Sequence, residues 1–221
     1  MKKTLLSWIA ATALLASCNN AGTNDKATDG DSAMTTSTTT ETKKDEAFVP
    51  VDSATAMKAW MAAMTPGEPH KELAKSDGKW TAEASMWMQE GAPPETSTGT
   101  MTNKMVLGGR FQMGEYKGVM MGGPFEGFSL VGYDNTKKKF VSNWIDNMGT
   151  GIMSMEGTWD NATKSMNLTG SMLDPATGKT CDMKEVFTMV DNDHQTMEMW
   201  GQDPKTGKSF KTMEIKFTRV K

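Results

Sequence analysis

The chain is poor in the residues that most often carry chemistry. Its 221 residues include two cysteines, two histidines, two tyrosines and two arginines, Arg110 and Arg219. So few nitrogen and sulfur donors argue against a zinc centre. No H-E-x-x-H, G-x-S-x-G or P-loop pattern occurs, and no serine sits in an activating context for a triad with His70 or His194. Histidine is absent after His194, so the end of the chain lacks a proximal haem ligand. The formal charge is −3, an acidic balance that argues against nucleic acid as a partner. Beyond the first twenty residues no apolar run approaches the ~20 residues of a membrane-spanning helix.

What is present begins with "MKKTLLSWIAATALLASCNN". Lys2 and Lys3 precede a short apolar stretch, and Leu15-Ala16-Ser17-Cys18 resembles the lipobox of bacterial lipoproteins. That resemblance implies a signal peptide at 1–17, cleavage before Cys18 and lipid on Cys18. It places the protein in the bacterial cell envelope, anchored to a membrane, with the outer membrane expected. The alternative is an ordinary secretory signal with an incidental cysteine. If Cys18 carries the anchor, Cys181 has no intrachain partner and a disulfide framework is excluded.

Residues 18–50 are rich in Thr, Ser, Asp and Lys and hold almost no large apolar side chain. Such a segment buries too little surface to offset its ordering entropy, and it reads as a disordered tether. A single domain is expected over 51–221. Asp52 or Ser53 can cap a helix whose Met57, Trp60, Met61 and Met64 fall on one face, with Pro66 and Gly67 ending it. A second short helix is expected from Pro69, stopping by Gly78.

From Lys79 the texture changes to short runs rich in Met, Phe, Trp, Val and Thr, broken at nearly even spacing. The breaks include "LGG", "MGGP", "DNTKK", "DPATGK" and "DPKTGK", all with turn chemistry. Nine breaks predict ten strands, near 79–89, 96–106, 110–121, 125–134, 139–147, 150–160, 164–173, 180–190, 194–202 and 209–220. The fold class is all-β: an up-and-down antiparallel meander that removes its edges by closing into a barrel. A flat sheet backed by a helix is the alternative.

Alternation along the strands assigns faces. Cys181, Met183, Glu185, Phe187 and Met189 share one; Phe140, Ser142, Trp144 and Asp146 share another. Met213, Ile215, Phe217 and Arg219 share a third, with Lys211 at its start. Aromatics and methionines mixed with isolated acids suit a barrel around a partly polar cavity, since a solid core does not tolerate unpaired acids. Methionine, at 22 residues, reads as adaptable filler, as a pocket lining or as a soft Cu(I) site.

Gly78-Lys79-Trp80 at the first strand and Arg219 on the last resemble the Gly-x-Trp and arginine pair of lipocalin-type calycin barrels. The resemblance implies an arginine–indole stack closing the barrel floor, Trp80 against Arg219. The segments "HKELAKSDGKW", "LGGRFQMGEYKG", "PFEGFSLVGYDNTKKKFVSNWIDNMGT" and "GTWDNATKSMNLTG" resemble the DUF1579 family, secreted bacterial proteins of unknown function with a calycin-like fold. That resemblance runs from about His70 to the end and implies a fold, not a reaction.

The first functional expectation is therefore a binder of a small apolar or amphipathic ligand, with Arg110, Tyr133, Trp144, Asp146 and Glu185 as candidate lining residues. The second is an enzyme using Asp146 or Glu185 as a general base. The third is a scaffold without a ligand. No catalytic set, cofactor or metal is assigned. His194 reads as a loop residue, His70 as a packing or capping residue, and Cys181 as a small buried hydrophobe. Arg110, behind Gly108-Gly109, is expected to hold a carboxylate, Glu126 or Asp146.

Overall fold

The structure, a computed structural model, describes residues 49–175, 177–203 and 205–221. The signal segment, Cys18 and nearly all of the tether lie outside the described residues. Two helices, α1 (Ser53–Met64) and α2 (Glu68–Ala74), precede ten strands. The strands are β1 (Gly78–Met86), β2 (Glu95–Val106), β3 (Phe111–Met120), β4 (Gly123–Asp134) and β5 (Lys139–Asp146), followed by β6 (Met153–Asp160), β7 (Ser165–Leu173), β8 (Thr180–Met189), β9 (His194–Gln202) and β10 (Ser209–Arg219). Each strand pairs antiparallel with its sequence neighbours, and β1 pairs with β10, so the sheet is a closed barrel rather than a flat sheet.

Aspartates fix many of the turns. Asp134 Oδ1 accepts the N–H groups of Thr136 and Lys137, Asp191 Oδ1 those of Asp193 and His194, and Asp203 Oδ1 those of Lys205 and Thr206. The backbone donors hold these three carboxyls below the usual carboxylate range. His194 is exposed at the edge of one such turn, 2.9 Å from Asp191.

Helix α1 starts where Asp52 accepts the N–H groups of Ala54 and Thr55, both at 3.0 Å. Its apolar stripe is not covered: Met57, Trp60, Met61 and Met64 remain 49–67% exposed. Helix α2 starts one residue before Pro69 and ends at Ala74, earlier than Gly78. His70 is buried and caps it, its Nδ1 accepting the Gly67 N–H at 3.0 Å. Burial, followed by the charge of Arg110, lowers the pKa of His70.

Helix α2 closes one end of the barrel. The carbonyl of Leu73 in its last turn, and those of the segment just after the helix, take donors from the strands. Trp80 Nε1 donates to Ser76 O at 2.9 Å, and Gln112 Nε2 to Leu73 O at 2.6 Å. Asn103 Nδ2 donates to Ser76 O at 3.3 Å. Arg219 lies 4.0 Å from the ring centre of Trp80 and donates to Asp77 O, Lys75 O and Asn192 O. Trp80 is fully buried in this floor and sits opposite Arg219 in the β1–β10 register.

Two side chains differ from the strand-parity expectation. A bulge between Lys211 and Met213 shifts the β10 register, so Lys211 leaves the face of Met213, Ile215 and Phe217. It instead binds Glu198, at 3.0 Å, and Glu214, outside the barrel. Cys181 is half-buried at the start of β8 rather than a buried core residue.

Candidate functional site

The inward faces of the strands enclose a cavity of about 1470 Å³. Ordinary small-molecule sites run to ~300–1,000 Å³. Leu73 and Ser76 of the α2 region, with Asn103, Gln112 and Phe140, lie at its floor. The β3–β4 and β5–β6 turns and the end of β7 lie at its mouth. More than half of the chain's 22 methionines line it, among them both members of the Met197/Met199 pair. Tyr116, Phe125, Trp144, Trp159 and Phe187 supply aromatic walls. Met121, Met148, Ile152 and Leu173 stand at the mouth, 56–69% exposed.

The β5 and β8 faces read from alternation are the faces that line this cavity. Trp144 lies flat over Gly127, where a Cβ would collide with its ring, and stacks on Phe125 with centroids 6.3 Å apart. Its Nε1 donates to Asp146 Oδ2 at 2.8 Å. Asp146 Oδ1 accepts the N–H groups of Met148 and Gly149, so both oxygens serve the wall and the mouth turn.

Glu185 differs. It sits mid-strand between Leu168 of β7 and Met199 of β9, with Met183 and Phe187 beside it on the inner face. Glu185 is half-buried in the wall and lines the cavity. Among the described residues no hydrogen bond or ion pair reaches its carboxylate. Burial raises its pKa from 4.5 to about 7. Burial likewise raises the Tyr116 phenol.

The five candidate lining residues thus divide. Trp144, Asp146 and Glu185 come together in the barrel cavity, whereas Arg110 and Tyr133 line a separate cavity of about 410 Å³ with Met64, His70 and Phe111. Arg110 holds neither Glu126 nor Asp146. Its guanidinium donates to two carbonyls, Met64 O at 3.0 Å and Leu107 O at 3.2 Å, and so ties the end of α1 to the β2–β3 turn. That turn is left-handed at Leu107, Gly108 and Gly109, which accounts for the glycine pair. Tyr133 packs below the floor, edge-on to His70 and to Phe140. The floor donors Asn103 and Gln112 and the wall residues Tyr116 and Trp159 were not singled out by sequence. Strand parity alone was available to find them.

A barrel with this floor and cavity matches a known sequence family. The profile of DUF1579, described as a protein of unknown function, matches residues 65–219. The chain belongs to the DUF1579 family. No curated protein matches this DUF1579 chain. Among solved structures, Rv2717c from M. tuberculosis is similar with a TM-score of 0.51 and 13% identity, over 71% of this chain and 100% of that one. The S-type phycobiliprotein lyase CPES from Guillardia theta is similar with a TM-score of 0.48 and 8% identity, over 73% of this chain and 97% of that one. At such identity the likeness to Rv2717c is one of fold.

Proposed function

We propose that this DUF1579 protein is a receptor for a small apolar or amphipathic ligand, held in the bacterial envelope by a lipid on Cys18. The observation that carries the binding reading is the cavity: about 1470 Å³, walled by methionine and aromatic side chains and opening at an apolar mouth. Methionine side chains are unbranched and polarizable, so they adapt to ligands of differing shape. The anchor rests on Lys2, Lys3 and the Leu15–Cys18 pattern. The test is purification of the full chain from bacterial envelopes, followed by native mass spectrometry. The expected result is a stoichiometric small molecule that solvent extraction removes, together with a diacylglyceryl-sized mass increment on Cys18. A protein of bare mass that also fails to take up an uncharged apolar fluorophore would sink the binding reading. A Cys18 of unmodified mass would sink the anchor alone.

A carboxylate at about 7 also suits a general base. Binding is the better-supported reading because nothing orients Glu185: its carboxylate has no bonded partner among the described residues, and Asp146 is already occupied by Trp144 and two backbone N–H groups.

A further inference from the structure

The charge inside the barrel has one sign. The ionisable side chains of opposite kinds are sorted by face: Glu72, Glu95, Asp146 and Glu185 line the cavity, and no lysine, arginine or histidine does among the described residues. Two lysines close to the inner face in sequence are both turned outward. Lys184, next to Glu185, points outward over Trp200, 5.1 Å from the ring centre. Lys211 is carried outside by the β10 bulge, onto Glu198 and Glu214.

Of the four acids, three have other roles or positions. Both Glu72 oxygens accept from Lys75, at 2.8 and 2.7 Å, beside the floor. Glu95 is exposed at the first position of β2, at the mouth end. Asp146 is saturated by Trp144, Met148 and Gly149. Among the described residues Glu185 alone of these acids projects from mid-wall with no partner. A carboxylate surrounded by Leu168, Met199, Met183 and Phe187 loses hydration and gains nothing from the protein. A ligand carrying a cationic N–H group would supply a charge-assisted hydrogen bond. Phe187, two positions along on the same inner face, puts an aromatic ring beside Glu185. A carboxylate-headed ligand such as a fatty acid meets the opposite: like charge and no basic group.

We propose that the cavity takes a lipophilic amine, an apolar chain or ring system bearing a protonated ammonium group, seated with its nitrogen against Glu185. This rests on the cavity being a ligand site, and the test separates the two. Dodecylamine, dodecanol and dodecanoate are each used, below their micellar concentrations at pH 8, to displace an uncharged apolar fluorophore from the full chain. The amine is expected to bind about tenfold or more tighter than the alcohol, as a charged hydrogen bond allows, and dodecanoate weakest. In E185Q the amine is expected to fall to within about twofold of the alcohol. Glu72, Glu95, Tyr116 and Asp146 face the same cavity and stay in both proteins, so the variant isolates Glu185. As a second readout, amine affinity in the unmodified protein should weaken from pH 8 to pH 6 while alcohol affinity stays level. Equal affinity for amine and alcohol, or a preference that survives E185Q, overturns the amine assignment and leaves the receptor reading standing. Binding of none of the three compounds or the fluorophore overturns both.

Discussion

At the α2 end of the barrel, polar groups are matched partner to partner. Trp80, Asn103, Gln112 and Arg219 each donate to a backbone carbonyl of the segment 73–77. At the opposite end Met121, Met148, Ile152 and Leu173 stand in solvent. The two ends face the same strands and the same cavity. They differ because the floor must satisfy the carbonyls of the non-helical segment that follows α2, which takes directional donors. The mouth ends in hairpin turns whose backbone is satisfied locally, as Asp146 does for Met148 and Gly149. Its side chains are therefore free to be apolar. Directional hydrogen bonds gather at one end and exposed apolar side chains at the other.

Substitutions should break this division unequally. The largest effect is expected for Trp80→Ala, which empties a fully buried indole site and removes the Arg219 stack: a loss of about 3–5 kcal/mol in urea unfolding. Next comes Glu185→Gln, in the wall between the ends. The folded protein binds this proton more tightly than the unfolded chain, since the carboxyl titrates at about 7 rather than 4.5. Stability from that proton is present below about pH 4.5 and is lost as pH rises through 7. Glu185→Gln should therefore stabilise at pH 8, by at most about 3 kcal/mol, and leave stability at pH 4 unchanged; the pair of unfolding curves checks the sign. Arg219→Lys keeps the charge but loses the planar fork that reaches Asp77, Lys75 and Asn192, an expected cost of about 2 kcal/mol. The smallest effect is expected at the mouth. Ile152→Ser or Leu173→Ser should change unfolding by under about 0.5 kcal/mol while slowing the uptake of an apolar fluorophore in stopped-flow measurements. A mouth substitution as costly as one in the floor would erase the contrast.

Much of this arrangement was legible in the sequence, for identifiable reasons. Strand limits fell within about three residues of those observed because the turns carry their own chemistry: Asp134, Asp191 and Asp203 fold the backbone over their side chains whatever the barrel does. The inner faces of β5 and β8 followed from alternation, and the Trp80–Arg219 pair from a family resemblance. The misses have physical causes too. Alternation gives the face of a side chain and not its height, so Tyr133 was assigned to the cavity although it lies beneath the floor, against His70. The partners of Arg110 are backbone carbonyls, and a carbonyl leaves no trace in residue type. The apolar stripe of α1 implied a covered face, yet periodicity does not say whether anything lies opposite.

The bulge in β10 has a consequence for the whole interior. A strand is a two-beat rhythm, and one extra residue moves every later side chain onto the other beat. Here the added beat falls between Lys211 and Met213, with Trp87 N–H held by the carbonyl of Thr212. Were Thr212 paired as a regular strand position, Lys211 would share the face of Met213 and point inward, bringing an ammonium into a space lined by carboxylates. The electrostatic character of the barrel's interior is thus set by where a single residue is inserted as much as by which residues the chain contains. A deletion of Thr212 makes Lys211 and Met213 consecutive residues, which face opposite sides of a strand, so Lys211 should stay outside and the interior should keep its acidic character.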